Sequence, residues 1–248
     1  MQMKPMGISE TPLIKLVGVS KEYRVGEIST VALKEVNFMV HRGDLVAIMG
    51  PSGSGKTTLL NMLGLLDRPT KGKIIFEGRD VSRLSDRELA DLRNRKLGFV
   101  FQTFNLINRL TVFENIEMPL IPRGLPRSVR AEMVKEAILK VGGEIGWLKK
   151  KPNQLSGGQQ QRVAIARAIV GNPSIVLADE PTGNLDRASA RIVIETFLNL
   201  NKEGRSIVIV THDPEIANCT EKIYVIRDGS IVGEYKANPS ESLISRMS

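Results

Sequence analysis

The fold of this chain is decided by Gly50-Pro51-Ser52-Gly53-Ser54-Gly55-Lys56-Thr57, which follows the pattern G-x-x-x-x-G-K-T. The apolar run at 44–49 before it predicts a buried strand, and residues 57–63 after it predict the start of a helix. Strand, glycine-rich loop and helix in this order are the context in which the pattern binds phosphate. The stretch therefore predicts an α/β domain with a nucleoside triphosphate site.

The residue types of the loop suit a chain of phosphates. Gly50, Gly53 and Gly55 let the backbone turn sharply and approach phosphate oxygens, so that N–H groups form an anion nest at the positive end of the helix. We expect Lys56 to contact the β- and γ-phosphates and the Thr57 hydroxyl to bind Mg²⁺. The other predicted ATP contacts of this segment are Pro51, Ser52, Ser54 and Thr58.

Composition excludes several classes of protein. The chain has 248 residues, 42% of them hydrophobic and 25% charged, which suits one large or two small soluble domains. No run approaches the roughly 18 apolar residues of a membrane span, and residues 1–11 lack the apolar core of a signal peptide. The single cysteine, Cys219, excludes internal disulfides and cysteine-cluster metal sites, so a cytosolic location is the default expectation.

The formal net charge of +8 has three interpretations: a solvated basic exterior, a surface near anionic lipid, or a nucleic-acid surface. Lysine and arginine are spread along the chain, and the densest clusters, 93–96 and 149–151, contain no aromatic residue. We favour the solvated exterior, place membrane proximity second, and expect no nucleic-acid partner.

Strand and helix patterns alternate along the chain around one helical insertion. Strands are predicted at 13–19, 36–40, 44–49, 74–76, 97–101, 174–178 and 206–210, with a hairpin around Asp228-Gly229. Helices are predicted at 86–95, 127–141, 159–170 and 187–203, the first with Ser85 and Glu88 as a capping box. Tyr23 is placed in a polar loop after the first strand.

No internal repeat is visible, so we predict one domain at 12–237. Prolines interrupt the segment after Gln102 and no strand signal follows there, which predicts an inserted helical subdomain at 103–154. Residues 1–11 and 238–248 are predicted to be loose termini.

Two acids end the predicted strand at 174–178. Asp179 is placed to hold Mg²⁺, directly or through water, and Glu180 to accept a proton from water that attacks the γ-phosphate. Taken alone, an apolar strand followed by two acids more often ends in a turn with solvated acids than in a catalytic pair. Together with the phosphate loop, the pair is much more specific for phosphoryl chemistry.

Leu155-Ser156-Gly157-Gly158-Gln159 resembles the signature of the ATP-binding-cassette (ABC) family. The resemblance extends over about 13–234 and includes the family's order of motifs. It implies an α/β fold: a P-loop NTPase core with a mixed sheet flanked by helices, an antiparallel β subdomain and an inserted α-helical subdomain. It also implies an Mg²⁺-dependent ATPase that forms ADP and phosphate.

The resemblance assigns roles to further residues. Tyr23 matches the aromatic that stacks on adenine, although a surface tyrosine remains the alternative. Gln102 matches the glutamine that reaches Mg²⁺ and the attacking water, and His212 the histidine that donates to the γ-phosphate. Asp186 lies in the segment that crosses the subunit interface. The other histidine, His41, precedes a turn and is interpreted as structural.

Ser156, Gly157, Gly158 and Gln159 lie at the start of a predicted helix, which is again an anion site. In the family's architecture this site lies far from the phosphate loop of the same chain. We therefore expect a head-to-tail homodimer in the ATP state, with each ATP between one chain's loop and the other's signature. No arginine finger is required.

Four segments resemble the macrolide-exporter and lipoprotein-release subfamily: 64–70, 105–107, 110–116 and 178–186. Its members work with integral membrane permease subunits, which implies peripheral attachment at the cytoplasmic face of the cell membrane. One departure is the glycine- and lysine-rich stretch at 142–151. The alternatives are a soluble ABC ATPase acting in cluster assembly or on DNA, and a module that binds ATP without cleaving it; intact Glu180 and His212 oppose the second.

Overall fold

Ten β-strands lie within residues 11–246, the part of the chain that the computed structural model describes. They are Ile14–Val25 (β1), Ile28–Val40 (β2), Leu45–Met49 (β3), Lys71–Phe76 (β4), Arg79–Asp80 (β5), Leu97–Phe101 (β6), Ile175–Asp179 (β7), Ser206–Thr211 (β8), Lys222–Arg227 (β9) and Ser230–Lys236 (β10). Four form a sheet in the order β2-β1-β4-β5, whose pairs are antiparallel. Six form a mixed sheet in the order β10-β9-β3-β8-β7-β6.

The same residues contain eight α-helices. They are Lys56–Leu63 (α1), Asp86–Lys96 (α2), Val112–Glu117 (α3), Arg127–Lys140 (α4), Gly157–Ile169 (α5), Arg187–Lys202 (α6), Pro214–Ala217 (α7) and Leu243–Arg246 (α8). The predicted capping box of α2 is confirmed, because the Ser85 side chain accepts from the Glu88 amide and Glu88 accepts from the Ser85 amide. Side-chain capping of this kind satisfies amide groups that the first helical turn leaves free.

The mixed sheet aligns the carboxyl ends of four parallel strands, β3, β8, β7 and β6. Met49 lies opposite Thr211, and Phe101 lies opposite Asp179, so the strands finish at one edge of the sheet. The residues that immediately follow these strands are Gly50, His212, Glu180 and Gln102. Such an edge is where open α/β sheets bind their ligands.

Both faces of this sheet are covered, and this explains why its parallel strands are continuous apolar runs. Ile175 and Leu177 of β7 belong to a core cluster shared with α1 and the antiparallel sheet. Val176 and Ala178 belong to a second cluster shared with α5, α6 and the helices of the insertion. The predicted fold class is confirmed: a mixed sheet flanked by helices, an antiparallel sheet and a helical insertion between β6 and β7.

Tyr23 lies in β1, opposite Thr30 of β2, so the prediction of a loop at this position is wrong. β1 continues past residue 19 because its polar residues pair with β2, up to a short turn at Gly26, where φ is +61°. A two-stranded ribbon can carry polar side chains on an exposed face, and therefore lacks the clear apolar alternation that marks a half-buried strand.

The C-terminal segment 238–246 is ordered, contrary to the prediction of a loose tail. It contains a 3₁₀ helix, Pro239–Glu241, followed by α8. Leu243 is 3% exposed within the core cluster that includes Ile216, and Arg246 forms an ion pair of 2.8 Å with Glu215. Leu243 and Ile244 pack against the core, Arg246 pairs with Glu215, and the Asn238 amide donates to Asn218 Oδ1. None of these contacts produces a periodic pattern in the sequence. Residues 1–10 and 247–248, also predicted to be loose, lie outside the described residues.

No helix within residues 11–246 is both long and apolar enough to cross a membrane.

Replacing Leu243 with Ala should destabilise the fold, because the change leaves a cavity beneath α8. We expect the free energy of unfolding to fall by about 2 kcal/mol, or the Tm by about 4–8 °C. Leu139→Ala is the matched control, since Leu139 is 55% exposed and its replacement should change stability by less than about 0.5 kcal/mol. Equal, small effects of both substitutions in thermal and urea unfolding would show that the tail does not contribute to the core.

Candidate nucleotide site

The glycine-rich loop between β3 and α1 is held in the shape that its sequence predicts. Gly53 and Gly55 have φ of +77° and +103°, which favours glycine, and Gly55 is the residue that precedes α1. A Cβ atom on Gly50 would lie 2.3 Å from the Ile226 carbonyl oxygen, and one on Gly55 would lie 2.6 Å from that of Ala32. The neighbouring backbone therefore excludes side chains at both positions.

Lys56 extends back over this loop. Its Nζ atom donates to the carbonyl oxygens of Gly50, at 2.7 Å, and Pro51, at 2.9 Å. Among residues 11–246, no carboxylate forms an ion pair with this ammonium group. Lys56 is thus a cation bonded only to neutral carbonyls, next to the free amides of the first turn of α1. Such an arrangement can bind a chain of phosphates.

Thr57 and Asp179 bring together the oxygen ligands expected for Mg²⁺. The Thr57 hydroxyl donates to Asp179 Oδ2 at 3.3 Å, which joins the start of α1 to the end of β7. Burial raises the pKa of the Asp179 carboxyl above its ordinary value, and the hydrogen bond from Thr57 opposes this shift. A hydroxyl and a carboxylate beside phosphate oxygens are ligands that Mg²⁺ prefers, so these residues fit the ion.

Glu180 and His212 contact each other at the ends of β7 and β8. His212 Nδ1 lies 2.8 Å from Glu180 Oε1, and an ionised carboxylate can only accept, so Nδ1 is the donor. Glu180 has φ of +45°, uncommon for a residue with a side chain, and its amide donates to the Val210 carbonyl. The Glu180 side chain is 15% exposed and the His212 side chain 69%, so the histidine covers the carboxylate from the solvent side.

Gln102 follows β6, at the far end of the same edge. Its Nε2 atom lies 3.4 Å from Asn184 Oδ1, and the Asn184 side chain donates to the Gln102 carbonyl at 3.1 Å. A Cβ on Gly183 would lie 2.7 Å from Gln102 Nε2, so a side chain at 183 would displace the Gln102 amide from this position. Sequence reasoning did not identify the contributions of Gly183 and Asn184, because the contact spans 82 residues.

Tyr23 comes from the antiparallel sheet and is 39% exposed. Its hydroxyl donates to Asp67 Oδ2 at 3.0 Å, while Lys21 Nζ lies 4.9 Å above its ring and 2.7 Å from Asp67 Oδ1. Burial is the largest of the effects that raise the pKa of the Tyr23 hydroxyl. Lys21 and Asp67 fix the orientation of the ring, and neither was predicted from the sequence. The period-two spacing of Lys21 and Tyr23 on one strand was an available signal for the first of them.

Ser156 caps α5, and its hydroxyl accepts from the Gln159 amide while the Gln159 side chain accepts from the Ser156 amide. Gly158 packs against α6, since a Cβ there would lie 2.7 Å from Ser189 Oγ. Asp186 caps α6 by accepting from the Ser189 amide at 2.9 Å. The signature and the Asp186 segment are therefore neighbours.

The structure does not bring this signature segment to the glycine-rich loop. Helix α5 packs on β6, which is separated from β3 by two strands, or about 14 Å at the usual strand spacing. The edge of the sheet thus gathers Lys56, Thr57, Asp179, Glu180 and His212, with Gln102 one strand further. His41 lies at the opposite end of β3, with Nδ1 3.5 Å from Asp44 Oδ2.

Asp179→Asn should stabilise the chain without metal or nucleotide. Because burial raises the folded-state pKa of Asp179, the ionised carboxylate opposes folding at neutral pH, and this effect disappears as the pH falls through that pKa toward about 4. We expect a higher Tm than wild type at neutral pH and no difference in acid, measured by thermal unfolding in chelator.

Asp80→Asn provides a control of opposite sign. The hydrogen bond from the Ser82 amide lowers the pKa of Asp80, so its ionised form favours folding at neutral pH. Replacing Asp80 with Asn should therefore lower the Tm at neutral pH, and this decrease in Tm should disappear in acid. A lower Tm for Asp179→Asn at neutral pH would contradict the assigned effect of burial.

Comparison with known proteins identifies the family. A family model described as ABC transporter matches residues 33–183. An uncharacterized ABC transporter ATP-binding protein of Thermotoga maritima is 52% identical over 221 residues, which are 89% of this chain and 94% of that protein. The macrolide export ATP-binding/permease protein MacB of Syntrophobacter fumaroxidans is 51% identical over 224 residues, 90% of this chain but 31% of that protein.

The solved structures agree. The dimeric, post-hydrolysis structure of the cassette MJ0796 bound to ADP and Pi, a protein of Methanocaldococcus jannaschii, superposes with a TM-score of 0.84 at 44% identity, covering 91% of this chain and 99% of that one. The resemblance drawn from the signature is thereby confirmed. The chain belongs to the ABC transporter family, as one of its ATP-binding subunits.

Proposed function

We propose that this chain hydrolyses ATP as a homodimer and drives a membrane permease of the export or lipoprotein-release type. The observation that carries the proposal is the separation of two anion sites in one chain, the loop at Lys56 and the start of α5 at Ser156. A second copy facing head to tail supplies the missing half of each site. MJ0796, which is similar along almost its whole length, is a dimer.

The geometry of the edge supports the roles that we assign to its residues. Lys56 and the loop amides hold the β- and γ-phosphates, and Gln102 orients the water. Glu180 accepts the proton of this water as its oxygen bonds to the γ-phosphorus and the bond to ADP breaks. Thr57 and Asp179 would hold Mg²⁺, which would supply positive charge next to the phosphate oxygens.

His212 and Tyr23 complete the proposed site. His212 contacts Glu180 and is 69% exposed. We assign its ring the contact with the γ-phosphate. Tyr23, held from the side by Asp67, offers its ring to adenine. Ser156, Gly157, Gly158 and Gln159 serve the ATP of the partner subunit, and Asp186 lies beside them at the interface.

A cleft of about 470 Å³ beside Gln102 supports the choice of a permease as partner. Its floor is apolar and includes Phe99 and Phe101, whose rings are stacked with centroids 6.0 Å apart. Three arginines line it, Arg93, Arg123 and Arg167, and each donates to backbone carbonyls. An apolar floor with a cationic rim fits a short helix that presents an apolar face and an acidic or carbonyl end.

Such a helix, from an integral membrane subunit, would hold the chain at the cytoplasmic face of the membrane. We propose further that residues 103–154 act as an inserted helical subdomain that leads directly into the signature. The alternative of a soluble ABC ATPase in cluster assembly or on DNA receives no support from the relatives found, and the cargo is left to the membrane subunit.

Glu180→Gln should lower turnover by about 10² or more, the usual scale for a lost general base, while ATP still binds. The variant should then form a stable dimer in MgATP, seen by size-exclusion chromatography with light scattering. Lys56→Ala is the control that should lose nucleotide affinity and stay monomeric. A Glu180→Gln chain that binds ATP as a monomer would refute the proposed dimer.

Tagged Glu180→Gln chain with MgATP should recover a polytopic protein from detergent-solubilised membranes of its own organism. Leu66→Arg on the same background should lose this protein, because Leu66 lines the cleft and is 47% exposed, yet it should still dimerise. Recovery of soluble proteins or nucleic acid alone would contradict the transporter assignment and leave the ATPase chemistry standing.

A further inference from the structure

The turn that follows Gln102 has an unusual backbone. Phe104 and Asn105 both have positive φ, +58° and +49°, although neither is glycine. Two consecutive left-handed residues with side chains are uncommon and are retained only where surrounding contacts enforce them. Within the turn, the Asn105 amide donates to the Thr103 carbonyl at 2.6 Å.

The enforcing contact comes from Arg167 of α5. Its Nη1 atom donates to the Asn105 carbonyl at 2.6 Å and its Nη2 atom to the Phe104 carbonyl at 2.9 Å. The two prongs of one planar guanidinium thus hold the two left-handed residues together. Burial lowers the pKa of this guanidinium, and it forms no ion pair with a carboxylate within residues 11–246, so backbone carbonyls are its compensation.

A second side chain of α5 holds the other side of Gln102. Gln161, fully buried, donates to the Pro181 carbonyl at 2.6 Å and the Phe101 carbonyl at 3.3 Å. Pro181 follows Glu180, and Phe101 precedes Gln102. Helix α5 therefore fixes the backbone on both sides of Gln102 and next to the predicted general base.

The same helix begins at the signature and ends at the cleft. Ser156 caps its first turn, and a Cβ on Gly157 would lie 3.8 Å from the Phe104 ring. Arg167 and Asn105 also line the cleft proposed for the permease. One arginine is thus placed where the cleft, the signature helix and Gln102 meet.

We propose that Arg167 is a positioning residue for ATP hydrolysis, which acts by holding the turn at Phe104 and Asn105 so that Gln102 faces the attacking water. This inference rests on the role proposed for Gln102. Lysine cannot replace the two-pronged contact, since its ammonium is a point donor without the guanidinium's fixed fork. The structure thereby assigns two roles to α5. The helix presents the signature, and it supports the turn at Phe104 and Asn105 of its own subunit.

Steady-state ATPase measurements on Arg167→Lys test the inference. A displaced Gln102 should lower kcat by about tenfold and change the KM for MgATP by less than about twofold. Arg162→Lys is the matched control: Arg162 lies in the same helix and also donates to a carbonyl, that of Gly142, while stacking on Trp147. It should keep kcat within about twofold of wild type.

The decisive measurement combines Arg167→Lys with Gln102→Ala in one chain. If Arg167 acts through Gln102, then Arg167→Lys should lower kcat by less than about twofold further in a Gln102→Ala chain. Three results would overturn the inference. In the first, the kcat loss of the double variant equals the product of the two single losses. In the others, Arg167→Lys changes KM instead of kcat, or it keeps the wild-type kcat. A wild-type kcat for Gln102→Ala alone would instead refute the proposed role of Gln102.

A second variant leaves Arg167 in place in case Arg167→Lys fails to fold. Asn105→Val puts a β-branched residue at a positive φ and should reduce kcat as Arg167→Lys does, whereas Asn105→Gly should lose less. Wild-type turnover of folded Asn105→Val, with its Tm verified by thermal unfolding, would overturn the inference.

Discussion

The common register of four parallel strands is the constraint on which the rest of this structure depends. Because β3, β8, β7 and β6 end within one residue of each other, the residues after them lie along one edge, although they are up to 162 positions apart in the chain, from Gly50 to His212. A slip of one residue in any strand would turn its side chains to the other face and displace the residue that follows it. Alternate side chains of β7 are packed into two different core clusters, and this close packing resists such a slip, so the core holds the candidate reacting groups in place.

The same order of strands separates the two anion sites. The glycine-rich loop follows a central strand, whereas the signature helix packs on the edge strand β6 and the helical insertion. Each site alone has cationic or amide donors for part of a triphosphate. In the dimer that we propose, a second chain would complete both at once, which would couple nucleotide occupancy to association of the subunits and transmit a motion to a permease.

Local patterns carried most of what could be predicted from the sequence. The phosphate loop, the Ser85 capping box and the Asp228-Gly229 hairpin depend on residues a few positions apart, and the structure has all three. The contact of Tyr23 with Asp67, the packing of Leu243 and the contact of Arg167 with the turn after Gln102 depend on partners distant in sequence. No spacing rule in a single chain reveals such pairs, so the sequence predicted candidate reacting groups but not the contacts that hold them.

The most direct measurement is complementation between two inactive chains. A Lys56→Ala chain lacks a working loop, and a Gly157→Asp chain would repel phosphate at the signature; at Gly157 an added Cβ meets only ordinary contacts at 3.6 and 3.8 Å, so the fold should persist. If ATP is bound between chains, mixing the two should restore ATPase activity well above either chain alone, because mixed dimers hold one intact site. Activity no higher than the sum of the separate chains would show that each chain builds its site unaided.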